Sequence, residues 1–162
     1  MSSPTPRQRA IWRVFLECAY ALIDILDHEL QEEAGMTLRW YDVLVNLEEA
    51  ERPVRMKELA SRILASKSGL TRVIDRMEEA GLVERTRPAE DRRAIEVVMT
   101  PKGQEALHAA RAVHRRGIYE HFARHLDDAG FESLRDVLES VHEHVRPLRP
   151  GRISGTPRSP LS

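Results

Sequence analysis

Apolar residues recur at helical spacing along most of the chain, and one segment departs from that rhythm. Over residues 7–33, Ile11, Trp12, Val14, Phe15, Leu16, Ala19, Leu22, Ile23, Ile25, Leu26 and Leu30 follow one another with no intervening Gly or Pro, which predicts a long helix. The apolar arc is wider than one face. A helix of that kind is held between two surfaces, here an intramolecular contact and a dimer interface. Gly35 stops it, and Thr37 is placed to N-cap a second helix over Leu38–Ala50 with Trp40, Val43, Leu44 and Leu47 inward. Pro53 breaks the chain, and Val54, Arg55 and Met56 read as a short strand.

Residues 56–100 carry the change of period. Met56, Leu59, Ala60 and Ile63 stand at i, i+3, i+4 and i+7, one helical face. Leu64 and Ala65 form a turn, and Ser66 is an N-cap for the next helix, where Leu70, Val73, Ile74 and Met77 repeat the same spacing. The opposite face of that helix carries Lys67, Ser68, Thr71, Arg72 and Arg76. Gly81 falls where a helix C-terminus needs a left-handed residue. Two strand-like runs follow, residues 82–87 and 94–100, the second alternating Ile95, Val97 and Met99 against Glu96, Val98 and Thr100. Between them Pro88, Ala89, Glu90, Asp91, Arg92 and Arg93 make a polar hairpin tip. The reading is a helix-turn-helix with a wing. Its second helix packs one face and offers the other to a major groove, where Arg can donate two bonds to guanine. An Arg at the wing tip fits the minor groove, whose narrow A·T-rich segments concentrate negative potential.

Beyond the wing, Thr100 and Pro101 form an N-cap and first position for a helix over residues 101–126, with Leu107, Ala110, Val113, Ile118, Phe122 and Leu126 inward. Gly117 is interior and is expected to weaken or bend it. Asp127 or Asp128 caps a last helix with Phe131, Leu134, Val137, Leu138, Val141 and Val145 inside. Residues 146–162 hold four prolines, two glycines, four arginines and no acid, which reads as a disordered basic tail. The small winged module cannot cover the apolar faces of the first and last helices. Pairing them across a two-fold axis buries them, and sets two recognition helices about 34 Å apart for successive major grooves.

The run SKSGLTRVIDRMEEAGLVER, then AEDRRAIEVVMTPKG, resembles the winged helix-turn-helix of the MarR family of bacterial transcriptional regulators. Asp91 and Arg93 at the wing tip and the Thr100 to Gly103 exit are its most specific parts, and the resemblance runs from about residue 7 to residue 145. It implies a mainly α fold with a small β wing, a winged helix-turn-helix plus a helical dimerisation region, in a single domain. Residues 7–35 and 101–147 are then dimerisation helices, 37–100 the DNA-binding lobe, and 1–6 and 148–162 disordered tails. The implied partners are double-stranded DNA, a second copy of the chain, and a small-molecule effector. On this resemblance Arg72 and Arg76 read bases, and Ser66, Ser68 and Thr71 hold phosphates beside Lys67. Arg93, with Arg92, serves the minor groove, Asp91 orients Arg93 or a neighbouring Arg, and Arg85 and Arg87 are within reach of phosphates. Trp12, His28, Trp40, Tyr41 and Asp42 are the candidates for an effector cleft between the dimerisation helices and the DNA-binding lobe.

Charge sharpens this picture. The net charge of −1 excludes a globally basic nucleic-acid binder. Residues 24–51 hold nine acids and one base, however, and residues 51–103 twelve bases and nine acids, so a modestly basic lobe sits in a neutral chain. No apolar leader opens the sequence and no apolar run approaches the roughly 20 residues of a membrane span. The single cysteine, Cys18, suits a reducing cytoplasm. Relatives that sense peroxide do so through a first-helix cysteine, but Cys18 falls later in the helix than theirs and Leu38 stands where a partner tyrosine is expected. His121 and His125 have the i, i+4 spacing of a helical metal pair, but no third ligand can be assigned. No metal and no cofactor is therefore expected. There is no Gly-rich phosphate loop, nucleophile elbow or zinc hydrolase motif, so no enzyme is expected either. The alternatives are a winged-helix protein-interaction module without DNA affinity, suggested by the acidic 24–51 segment, or a metal- or redox-sensing variant of the regulator.

Overall fold

The computed structural model describes residues 3–63, 69–88, 91 and 93–148. Helix α1 spans Pro6–Ala34 and α2 Leu38–Ala50; strand β1 is Val54–Arg55, followed by α3, Met56–Arg62, and α4, Leu70–Glu79. Strands β2, Val83–Thr86, and β3, Glu96–Met99, lead into α5, Pro101–His121, a 3-10 turn at Ala123–His125, α6, Asp128–Val145, and a last 3-10 turn at Arg146–Leu148. Thr5 caps α1 in a reciprocal box with Gln8, and Gly35 closes it in the left-handed conformation. Thr37 accepts from the Trp40 amide as the sequence indicated, and Asp27 of α1 accepts from the Leu38 amide at 2.7 Å, so α1 helps cap α2.

The sheet is antiparallel with order β1-β3-β2. Val54 pairs with Val97, while Thr86 and Arg55 flank Glu96 from either side. Both outer strands therefore depend on β3, and Val97, fully buried, anchors the wing to the core. Met56 opens α3 and does not extend β1. The β2 and β3 runs are shorter than their sequence patterns because their ends are used elsewhere. The Leu82 amide donates to the Met77 carbonyl at 2.9 Å and the Gly81 amide to Glu78 at 2.9 Å, closing α4 in a Schellman motif with Gly81 at φ 74°. Thr100 turns away to cap α5, its hydroxyl accepting from the Gly103 amide at 3.0 Å and donating to the Gly81 carbonyl at 2.7 Å.

A single core joins α2, α3, α4, the sheet and the first half of α5, around Val43, Leu44, Leu59, Ile74, Met77, Val97 and Leu107. Tyr41 and Asn46 of α2 are also buried, whereas Trp40, expected inward, is only partly so. Along α1 only Leu30 is buried. Ile11, Trp12, Val14, Phe15 and Ile23 are exposed on it. The expected interior of α6 is not one in this chain: the helix has no buried residue, and Phe131, Val137, Leu138, Val141 and Val145 lie open. Among the described residues α6 packs appreciably only against the 3-10 turn that follows it, which leaves its apolar stripe open. Asp127, of the two candidate caps, accepts from the Gly130 amide at 2.7 Å.

Helix α5 ends at His121, earlier than its apolar pattern predicts, where Phe122 leaves helical geometry. Ile118 and Phe122, expected inward, are correspondingly exposed. Helix α5 runs unbroken through Gly117. This glycine is buried, and a β-carbon there would stand 2.5 Å from Leu26 Cδ2 and 2.6 Å from Glu29 Oε2, so its role is the close approach of α1. An ion pair between Arg116 and Glu33 and a hydrogen bond between His121 Nε2 and Glu29 at 2.7 Å brace the same joint, and Arg111 pairs with Glu48 of α2. The acidity of residues 24–51 is thus partly neutralised within the chain. Among the described residues no helix is long and apolar enough to cross a membrane.

Candidate nucleic-acid interface

Helix α4 buries Leu70, Ile74 and Met77 against the core and leaves Thr71, Arg72 and Arg76 exposed. The amphipathic pattern dictates this: four apolar residues on one stripe fix the cationic stripe outward. The start of the helix differs from expectation. Gly69, at φ 82°, is its N-cap, with no side-chain cap bond; the expected cap, Ser66, lies outside the described residues. A residue in the left-handed region ends helical continuity, and glycine is the type that adopts it freely. Of the residues expected to meet DNA, Ser66, Lys67, Ser68 and Arg92 lie outside the described residues.

At the wing, Arg87 is exposed just beyond β2 and Arg93 is exposed in the turn at the tip. The Ala94 amide donates to the Asp91 carbonyl at 3.0 Å, and the Arg93 amide to Asp91 Oδ1 at 3.2 Å. Asp91 thus shapes the backbone that carries Arg93, the local turn chemistry of an Asx residue. The Asp91 carboxylate also faces Arg55 Nη2 at 3.9 Å, and Arg55 Nε lies 3.7 Å from Glu96, so the wing tip is tethered to β1. Arg85 is not available for phosphates. Its guanidinium pairs with Asp75 at 2.5 Å and with Glu78. Burial opposes its charge, but the bonds from those two acids outweigh it and its pKa is raised. Among the described residues Arg72, Arg76 and Arg93, which the pattern singled out, form no ion pair and are free to meet a polyanion.

The contacts of Arg85 and Arg55 were not foreseen from the sequence. The signal available was the pair of acids at positions 75 and 78, on a helix otherwise expected to be cationic.

The residues suggested for an effector cleft are only partly gathered. Tyr41 is buried against His114, ring centroids 4.4 Å apart, and burial pushes the Tyr41 hydroxyl up and the His114 pKa down. Asp42 is next to it on α2, its carbonyl and carboxylate both accepting from the Asn46 side chain. Trp40 is half-buried and His28 exposed. Trp12 is exposed and stacked on Phe15, and lies about 24 Å along α1 from His28 at the helical rise, so one chain does not bring them together. Cys18 is exposed on α1. His121 and His125 no longer share a helical face, because α5 ends between them, and His121 is paired with Glu29. No group of three candidate metal ligands occurs among the described residues.

Two short consecutive helices on one core, the second cationic on its outward face, and a three-stranded wing define the winged helix-turn-helix class. A model of the MarR family matches residues 34–94. The HTH-type transcriptional repressor MdtR of Bacillus subtilis is 30% identical over 118 residues, 70% of this chain and 68% of MdtR. Sco3205 of Streptomyces coelicolor, a MarR family transcriptional regulator whose crystal structure is in complex with DNA, has a TM-score of 0.83 at 30% identity, covering 91% of this chain and 92% of its own. AbsC, a MarR family regulator of the same organism, has a TM-score of 0.81 at 34% identity, covering 91% and 99%. The chain belongs to the MarR family, and it is a transcriptional regulator.

Proposed function

We propose that the protein is a homodimeric cytoplasmic repressor that binds a pseudo-palindromic DNA operator and is released from it by a small-molecule effector. The observation that carries the DNA reading is the exposed Arg72/Arg76 stripe of α4 beside Arg93 at the wing tip, each free of ion pairs among the described residues. In this reading α4 enters a major groove, where Arg72 and Arg76 contact bases and Thr71 a phosphate. Arg93 enters the flanking minor groove and Arg87 approaches the backbone. The DNA complex of Sco3205 supports it. The exposed apolar stripes of α1 and α6 support the dimer, since contiguous open apolar surface of this extent marks an interface. Residues 7–35 and 101–147 then form the dimerisation region and 37–100 the reading lobe. An effector seated near Tyr41 and Asp42, between α2 and α5, acts by binding one spacing of the two lobes better than the other.

The test is fluorescence anisotropy against labelled duplexes tiling the DNA upstream of the protein's own gene, at low and physiological salt. Selective binding with a steep salt dependence, about −0.9 in log–log slope per phosphate contact, is expected. No selective or salt-dependent binding in any tile would favour a protein-interaction winged helix.

A further inference from the structure

Arg85 stands on β2, yet it grips α4 along its length. Its Nη2 donates to Asp75 Oδ1 at 2.5 Å and reaches the Thr71 carbonyl at 3.4 Å, its Nη1 donates to Glu78 Oε2, and its backbone amide donates to Glu78 Oε1 at 2.9 Å. Thr71, Asp75 and Glu78 are spaced i, i+4 and i+7, so they form one stripe down a ten-residue helix. Arg72 and Arg76 each follow a gripped residue by one position, about 100° further round the axis.

The apolar contacts of Leu70, Ile74 and Met77 hold α4 on the core, but they are non-directional. The charge-assisted bonds of a guanidinium fork are directional and set rotation about the helix axis. The N-terminus of α4 has no side-chain cap to do this in their place. Arg85 also lies on β2 two residues before Arg87, where the chain enters the wing, so one side chain is placed to act both on how Arg72 and Arg76 point and on how far the wing stands from them.

Resting on the DNA-binding reading above, we propose that Arg85 is a positioning residue for sequence discrimination: it touches α4 rather than DNA, and sets the register between the major-groove helix and the wing. Asp75 and Glu78 are its working partners, although as acids on the reading helix they repel DNA.

The experiment first selects the tightest duplex for the full-length protein from a random-sequence pool and pairs it with a scrambled duplex of the same composition. Failure to select any duplex would refute the DNA-binding reading itself, whatever Arg85 does. With a selected duplex in hand, Arg85→Gln is expected to lower the selected-to-scrambled affinity ratio about tenfold or more, the scale of one base contact, without changing the salt slope. Asp75→Asn and Glu78→Gln each remove a negative charge beside the DNA. Simple electrostatics predicts tighter binding to both duplexes with an unchanged ratio, whereas positioning predicts a lower ratio. The proposal is overturned if Arg85→Gln weakens both duplexes equally and flattens the slope by about 0.9, the signature of a phosphate contact, or if no variant changes the ratio. Thermal melting and gel filtration check each fold. Should Arg85→Gln not fold, Arg85→Lys, which keeps the charge but cannot fork between two acids, is expected to show a smaller fall, and an unchanged ratio there counts against the proposal.

Discussion

Gly103 has no room for a side chain. A β-carbon there would lie 2.1 Å from the Leu82 carbonyl oxygen and 2.9 Å from Met99 Cγ. Around it, Thr100 ties the start of α5 to Gly81, and Lys102 Nζ donates to the Ala80 carbonyl at 2.7 Å, a cation at the C-terminus of α4. The Thr-Pro-Lys-Gly exit, which in the sequence was only a point of resemblance, is thus the weld between α4 and α5. Gly103→Ala is expected to destabilise the protein by about 3 kcal/mol in urea denaturation, despite the ~1 kcal/mol helix-propensity advantage of Ala. Gly117→Ala should cost about 1 kcal/mol or less, because the atoms it meets, Leu26 Cδ2 and Glu29 Oε2, are side-chain ends that can move. Equal losses in the two variants would contradict the backbone clash. At the wing, Arg93→Ala is expected to weaken binding to a selected duplex about tenfold, most where the flanking minor groove is A·T-rich. Unchanged affinity would remove the wing from the binding surface. The exposure of Arg72, Arg76 and Arg93 was legible in the sequence, since helical and hairpin periods dictate which side chains face away from a core. The Arg85 and Arg55 pairings were not, because a pattern of positions says nothing about which charges meet across two elements.

Among the elements, the long periodic ones were legible throughout and the ends were not. α1 and α2 run nearly as their caps and glycine stop indicate. The starts of α4 and α6 and the end of α5 depend on local backbone choices: Gly69 in the left-handed region, Asp127 rather than Asp128 as cap, and a 3-10 turn after His121. The apolar stripe of α6, which the winged module was not expected to cover, is exterior in the chain taken alone. Introducing charge there through the double change Val137→Glu and Val141→Glu should leave the helical content of the chain intact, since neither side chain is buried. It should convert a dimer to a monomer in sedimentation equilibrium and sharply reduce affinity for a two-half-site duplex. A variant that still sediments as a dimer would show that α6 is not the interface.

For the whole molecule, α5 is the member on which the lobes converge, braced to α1 by Arg116 and His121 and to α2 by Arg111, with His114 enclosed beside Tyr41. That enclosure has a pH consequence. Burial lowers the His114 pKa below its ordinary 6.5. Above that value both folded and unfolded chains leave the ring neutral. As pH falls below it, the unfolded chain takes up the proton first, so stability declines until the lowered folded value is passed. The wild-type protein should therefore lose more stability between about pH 7.5 and about pH 5 than His114→Gln does, read as the shift of the urea midpoint. Identical shifts would mean that the ring is solvated.

The sequence by itself determined the order of the helices, the winged module and its outward cations, because hydrophobic period, capping residues and glycine stops act over a few neighbouring residues. Only the tertiary structure decided that Arg85 clamps α4, that Gly117 and Gly103 are sites of close approach, and that the acids of residues 24–51 find cations on α5. Those outcomes depend on which surfaces and charges, far apart along the chain, are brought within a few ångströms of one another.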